Sequence, residues 1–188
     1  MSKVALIIID AQNEFFSKGG KFFSENMRAV IPCMQKLLEE ARKTQVPIIF
    51  TQDTQWADKP SQDTLKHGDH CLEGTWAWKI IEELTPKEGE FIVKKREYSA
   101  FYETNLEQTL KSINVDTLLF AGTTTGCCVR ATVHDAFFRG YRILVVKECV
   151  TAPTELEHQA SLKDMETYFG KVIGMNEALK LITNQRKN

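Results

Sequence analysis

Six consecutive apolar residues, Val4 to Ile9 (VALIII), stop at Asp10. A strand with one face in water alternates apolar and polar residues. An unbroken β-branched run is instead buried on both faces, as in a parallel sheet covered by helices. PIIFT (47–51), FIVK (91–94), TLLFAG (117–122) and RILVV (142–146) repeat the pattern, and a last short strand is expected at 171–173. Between the first two runs, Met27, Val30, Ile31, Met34, Leu37, Leu38 and Ala41 recur at three and four residues, the spacing of an amphipathic helix. Residues 105–113, 129–138, 155–168 and 176–182 read the same way. Strand and helix alternate throughout, which predicts a three-layer α/β/α, Rossmann-like domain with a mostly parallel sheet of five to six strands.

The 188 residues suffice for one well-buried core, so 1–188 reads as a single domain. Lys+Arg 24 against Asp+Glu 25 leaves no basic surface for nucleic acid or anionic lipid. A small-molecule partner is expected instead. The longest apolar run falls far short of the roughly 20 residues of a membrane span, and no cationic leader precedes it. The five cysteines are odd in number, widely spaced and without a Cys-x-x-Cys, which fits neither a disulfide framework nor a zinc knuckle. A reducing cytoplasm is the expected setting.

In open parallel sheets, ligands bind beyond the carboxyl ends of the strands. Those ends carry Asp10, Asp53, Lys94-Lys95 and the turn GTTTGCC (122–128); the one long irregular stretch, 52–74, is polar and reads as an active-site loop. A thiol is a strong nucleophile as thiolate, and a helix N-terminus beside a cation favours that form. Cys128 opens the predicted helix, Lys95 supplies the cation, and Asp10 is placed to take and return a proton. The threonine turn offers backbone N–H groups for an oxyanion. Singly, these residues have ordinary readings as a cap, a solvated lysine and a small buried hydrophobe. Together at one sheet edge they point to catalysis. Spacing does not choose between Cys127 and Cys128.

ALIIIDAQNEFF (5–16), KREYSAFYETNL (95–106) and AGTTTGCCVRATVHDAFFRGY (121–141), in this order, resemble the isochorismatase-like cysteine hydrolase superfamily over nearly the whole chain. The resemblance implies Asp10 as base, Lys95 as the charge-stabilising lysine and Cys128 as nucleophile, with Cys127 a packing neighbour. It also implies a cis peptide between Thr123 and Thr124, an oxyanion held by the amides of Thr124 and Cys128, and a thioester intermediate. A homodimer or homotetramer is expected on the same ground.

Within that superfamily the isochorismate-cleaving branch needs no nucleophile, so a cysteine at 128 favours amide cleavage. Nicotinamidases hold a metal with an Asp-x-His pair and further histidines. Here residues 53–55 read DTQ, leaving Asp53, His67 and His70. That ligand count argues against a bound metal, with Asp53 and His70 as weak candidates, and no cofactor is expected. His70 reads as a loop-internal hydrogen-bonding group, His67 as solvated, and His134 and His158 as surface residues.

The stretch from 122 to 172 looks closer to the N-carbamoylsarcosine amidase branch, which implies a small linear amide or ureido substrate and release of ammonia. Pro153 stands where that branch carries a carboxylate-binding arginine. Phe16, Trp56 and Trp76, with Phe15 and Trp78, are candidate pocket walls. Arg130 reads either as a substrate contact or as an inter-helix salt bridge. A metal-assisted nicotinamidase and a non-catalytic binding member of the fold are the alternatives.

Overall fold

The computed structural model describes residues 3–185. Its elements in chain order are β1 (Val4–Ile9), α1 (Asn13–Phe16), α2 (Glu25–Ala29), α3 (Ile31–Thr44), β2 (Ile48–Asp53), α4 (Gln62–His67), β3 (Phe91–Lys95), α5 (Leu106–Ser112), β4 (Thr117–Thr123), α6 (Arg130–Phe138), β5 (Arg142–Thr151), α7 (Glu155–Tyr168), β6 (Lys171–Ile173) and α8 (Met175–Gln185). The six strands form one parallel sheet in the order β3-β2-β1-β4-β5-β6. The expected architecture is present.

Every residue of β1 is buried, because successive side chains enter opposite layers. Val4, Leu6 and Ile8 pack with Met27, Met34, Leu38 and Ile182 from α2, α3 and α8. Ala5, Ile7 and Ile9 pack with Leu106, Val133 and Leu162 from α5, α6 and α7. Each layer hides on the order of 1.5–3 kcal/mol per large apolar side chain, so the two together fix the central strand.

Several boundaries differ from the sequence reading, for local reasons. The helix expected across 27–41 breaks at Val30 into α2 and α3, since Pro32 suits only the first turn of a helix. β2 and β3 run on to Asp53 and Lys95, which pair with each other in register; both are strand residues, not residues beyond the strand. β5 extends to Thr151 past an irregularity against β4, and α4 forms inside the stretch read as irregular.

After β1 the chain builds outward to β3 on one side, then crosses to β4 on the other. The carboxyl ends of β1 and β4 therefore meet at the topological switch point. There Gly122 has φ +111°, and a Cβ on it would lie 2.1 Å from the Ile9 carbonyl oxygen. No other residue lets β4 come so close to β1 just before the cysteine turn.

Candidate active site

Asp10 leaves β1 with φ 48°, a left-handed conformation that aspartate tolerates better than most residues. Thr51 of β2 fixes it from both sides: the Asp10 amide donates to Thr51 Oγ1 at 3.1 Å, and that hydroxyl donates to Asp10 Oδ1 at 2.6 Å. The other carboxylate oxygen, Oδ2, faces Lys95 Nζ at 2.8 Å and has no further partner among the described residues. Lys95 Nζ also donates to the Glu97 carbonyl at 3.1 Å and lies 3.5 Å from Cys128 Sγ. Carboxylate, ammonium and thiol are all buried, with Lys95 2% exposed.

Burial pushes the Asp10 carboxyl up, and Lys95 only partly offsets this. Burial pulls the other way on Lys95, but Asp10 and the facing thiol outweigh it and hold the ammonium well above its usual value. The lysine thus stays charged while the carboxylate is made more basic. Contact with Cys127 and burial hold the Cys128 thiol well above its usual value, against Lys95. The same contact holds Cys127 below its own, so the two thiols titrate as a pair.

Cys128 does not sit in the first turn of a regular helix. It lies in a wide turn, Thr125–Val129, ahead of α6. The Thr123–Thr124 peptide is cis, and the Thr124 carbonyl accepts from the amides of Cys127 (2.9 Å) and Val129 (3.2 Å). From α7, His158 Nδ1 contacts Thr125 Oγ1 at 3.0 Å, so this histidine is half-buried rather than a surface residue. His134 stacks on Phe169 and is likewise half-buried.

Beside Cys128 opens a cavity of about 160 Å³. Phe15, Phe22, Met27 and Pro153 form its apolar wall, while Asp53, Asp63, His70 and Tyr98 lie opposite. Of the wall residues named from sequence, Phe16 is fully buried in the core. Trp56 lines a separate groove with Lys59 and Arg96. Trp76 packs over Gly19 and is half exposed, and Arg130 pairs with Asp164 of α7 at 2.7 Å. None of these four lines the cavity. Phe15 does, and Phe22, Met27, Asp63 and Tyr98 join it without having been read as wall residues from the sequence.

His70 Nε2 faces Asp63 Oδ2 at 2.9 Å and Asp53 Oδ2 at 3.4 Å, while Nδ1 meets the Gly68 carbonyl at 2.7 Å. Burial disfavours the charged ring, but Asp53 and Asp63 outweigh it and raise His70 to about 10. Gln55, in the position of the expected metal-binding histidine, donates to Asp53 Oδ1 at 2.6 Å. Two clamps hold this group in place. Gln12 donates to the Asp53 carbonyl and accepts from its amide; buried Glu14 accepts from the amides of Cys71 and Lys21.

Three comparisons with known proteins give the family and the fold. The family description "Isochorismatase domain" matches residues 4–177. The chain is 32% identical to the ureidoacrylate amidohydrolase RutB of Klebsiella pneumoniae over 89% of its own length and 82% of that protein. It is 31% identical to an N-carbamoylsarcosine amidase of an Arthrobacter species, over 91% and 68%. The fold superposes on an isochorismatase-like hydrolase from Alkaliphilus metalliredigens with a TM-score of 0.91, at 29% identity, covering 96% of this chain and 99% of the other.

Proposed function

Because the chain belongs to the isochorismatase domain family, we propose that it is a cysteine amidohydrolase that cleaves the C–N bond of a small amide through a thioester on Cys128. The observation that carries this reading is Lys95 Nζ, set 2.8 Å from Asp10 and 3.5 Å from Cys128 in a buried site. Lys95 holds the negative charge that shifts from carboxylate to sulfur and back. Asp10 Oδ2 takes the thiol proton as sulfur attacks the amide carbon. The oxyanion that forms is received by the amides of Thr124 and Cys128. Asp10 returns the proton to the departing nitrogen, and ammonia leaves.

Water then attacks the thioester and gives its proton to Asp10, which restores the thiol as the acid departs. Each proton taken by Asp10 is returned within the same half-reaction. Cys127 neighbours the nucleophile without replacing it, since Lys95 donates to Cys128 Sγ.

A metal-assisted variant has its own supporting observation. Asp53, Asp63 and His70 offer three ligand atoms within 4.8 Å of one another. His70 is oriented by the Gly68 carbonyl and Asp53 by Gln55, as outer partners orient metal ligands. Asp63 thus removes the shortage of ligands inferred from the sequence, and the set fits a divalent cation. Such an ion would supply Lewis acidity towards an acceptor atom of the substrate at that side of the cavity.

Ammonia release by purified protein tests the reading, with a panel of maleamate, N-carbamoylsarcosine, ureidoacrylate, nicotinamide and unsubstituted alkyl amides, in chelated and metal-supplemented buffer. Turnover by the wild type that vanishes in Cys128→Ala is the expected result. Turnover that survives in Cys128→Ala contradicts it.

A further inference from the structure

The cavity beside Cys128 holds charged groups, yet its balance is one-sided. Among the described residues that line it, the basic side chains are His67 and His70. Lys95, behind the thiol, is engaged by Asp10. His70 lies between two carboxylates, Asp53 and Asp63. Lys21, whose Nζ lies 5.6 Å over the Phe22 ring, is committed to the carbonyl oxygens of His67 and Asp69. His67, its side chain 39% exposed, turns Nε2 to the Tyr98 hydroxyl at 3.3 Å and to Asp63 at 3.8 Å.

The two carboxylates outweigh the one imidazole between them, whichever form the ring takes. A divalent ion held by the same three groups would bring that cluster to neutrality and no further. Neither the ion-free cluster nor one holding a divalent ion carries a net positive charge. In the ion-free site a substrate carboxylate would shed water and face two like charges, while the amides of Thr124 and Cys128 are taken up by the reacting carbonyl. Tyr98, Thr124 and Cys127 line the side next to the thiol, and the rest of the wall is Phe15, Phe22, Met27 and Pro153, which suits an apolar acyl group. At about 160 Å³ the space matches a benzene-sized ligand, which a cavity of about 150 Å³ accommodates.

We infer that the substrate of this site is a small, uncharged amide with an apolar acyl group, and that the site rejects amides bearing a carboxylate. The inference rests on the amidohydrolase reading and narrows it. It separates this chain from relatives whose names specify ureidoacrylate and N-carbamoylsarcosine, both carboxylic acids.

The test uses matched pairs in which a methyl group replaces the carboxylate: cis-crotonamide against maleamate, and propylurea against 3-ureidopropionate. Ammonia release by the chelated wild type should give kcat/KM on the order of 100-fold higher for the neutral twins, and Mn²⁺ should narrow that ratio if it occupies the site. Calorimetric titration of Cys128→Ala with the same four compounds should show the same preference in Kd. If the wild type turns over neither twin while Cys128→Ala still binds the neutral one more tightly, the amidohydrolase reading fails and the inference about charge stands. Equal or tighter binding of the carboxylates, or no binding of either neutral compound up to millimolar concentration, overturns it. Pro153→Arg sets a guanidinium at the rim and should narrow the ratio about tenfold; an unchanged ratio would overturn the electrostatic account.

Discussion

Asp10, Lys95 and Cys128 meet from the ends of β1 and β3 and from the turn after β4, with Cys128 alone of the three lining the cavity, whereas Asp53, Asp63 and His70 line it from a strand end, a short helix and a loop. The first trio is balanced, one carboxylate against one ammonium with a neutral thiol alongside. The second carries two carboxylates for one imidazole. On the proposed reading, charge moves within the first cluster and the second sets the sign of what enters. Altering each cluster separately should therefore have different consequences.

The largest expected effect is at the thiols. Cys128→Ala should lower kcat at least about 10⁴-fold, while Cys127→Ala stays within about tenfold of wild type in the same ammonia assay. Similar losses in both variants would dissolve the distinction between nucleophile and neighbour. Lys95→Met comes next: it strands a buried Asp10 and should cost about 3–5 kcal/mol in urea unfolding. The double variant Asp10→Asn/Lys95→Met should recover part of that, and additive losses would show that the pair is not coupled.

The second cluster predicts a pH effect on stability. His70 is held at about 10 in the fold, against about 6.5 unfolded. A raised folded value means a contribution that is complete below about 6.5 and disappears as pH rises through about 10. Chelated wild type should therefore lose on the order of 2 kcal/mol relative to His70→Gln between pH 7 and 10, allowing for solvent screening. Parallel pH profiles for the two proteins would contradict a charged His70. The smallest effect is at Arg130, outside both clusters: Arg130→Ala removes a surface pair with Asp164, should cost under about 1 kcal/mol, and should leave kcat unchanged.

The same contrast explains what the sequence reveals. Asp10, Lys95 and Asp53 stand at the ends of apolar runs, and a parallel sheet brings such ends to one edge whatever the loops do. Cys128 follows a glycine that lets two strands touch. Asp63, Phe22 and Tyr98 have no such signal, and the helical spacing that marks Met27 marks a core face and not a cavity wall. Asp63 rides on α4, and the segment leading to His70 is placed by the buried carboxylate of Glu14, a contact 57 residues long in sequence at Cys71. Trp56 and Trp76 failed to reach the cavity for a related reason: aromatic character predicts burial against something, while loop path decides against what. The spacing of Asp63 and His70 on a polar stretch was the available clue, and its meaning depends on clamps formed only in the fold.

The central claim is that sulfur of Cys128 becomes covalently attached to the acyl group. Acid-quenching the protein during turnover of its best amide, followed by peptide mass mapping, measures this directly. The account predicts an adduct of the substrate mass less ammonia on the peptide containing Cys127 and Cys128, retained in Cys127→Ala and absent in Cys128→Ala. An adduct that persists in Cys128→Ala, or steady turnover by that variant, would contradict it.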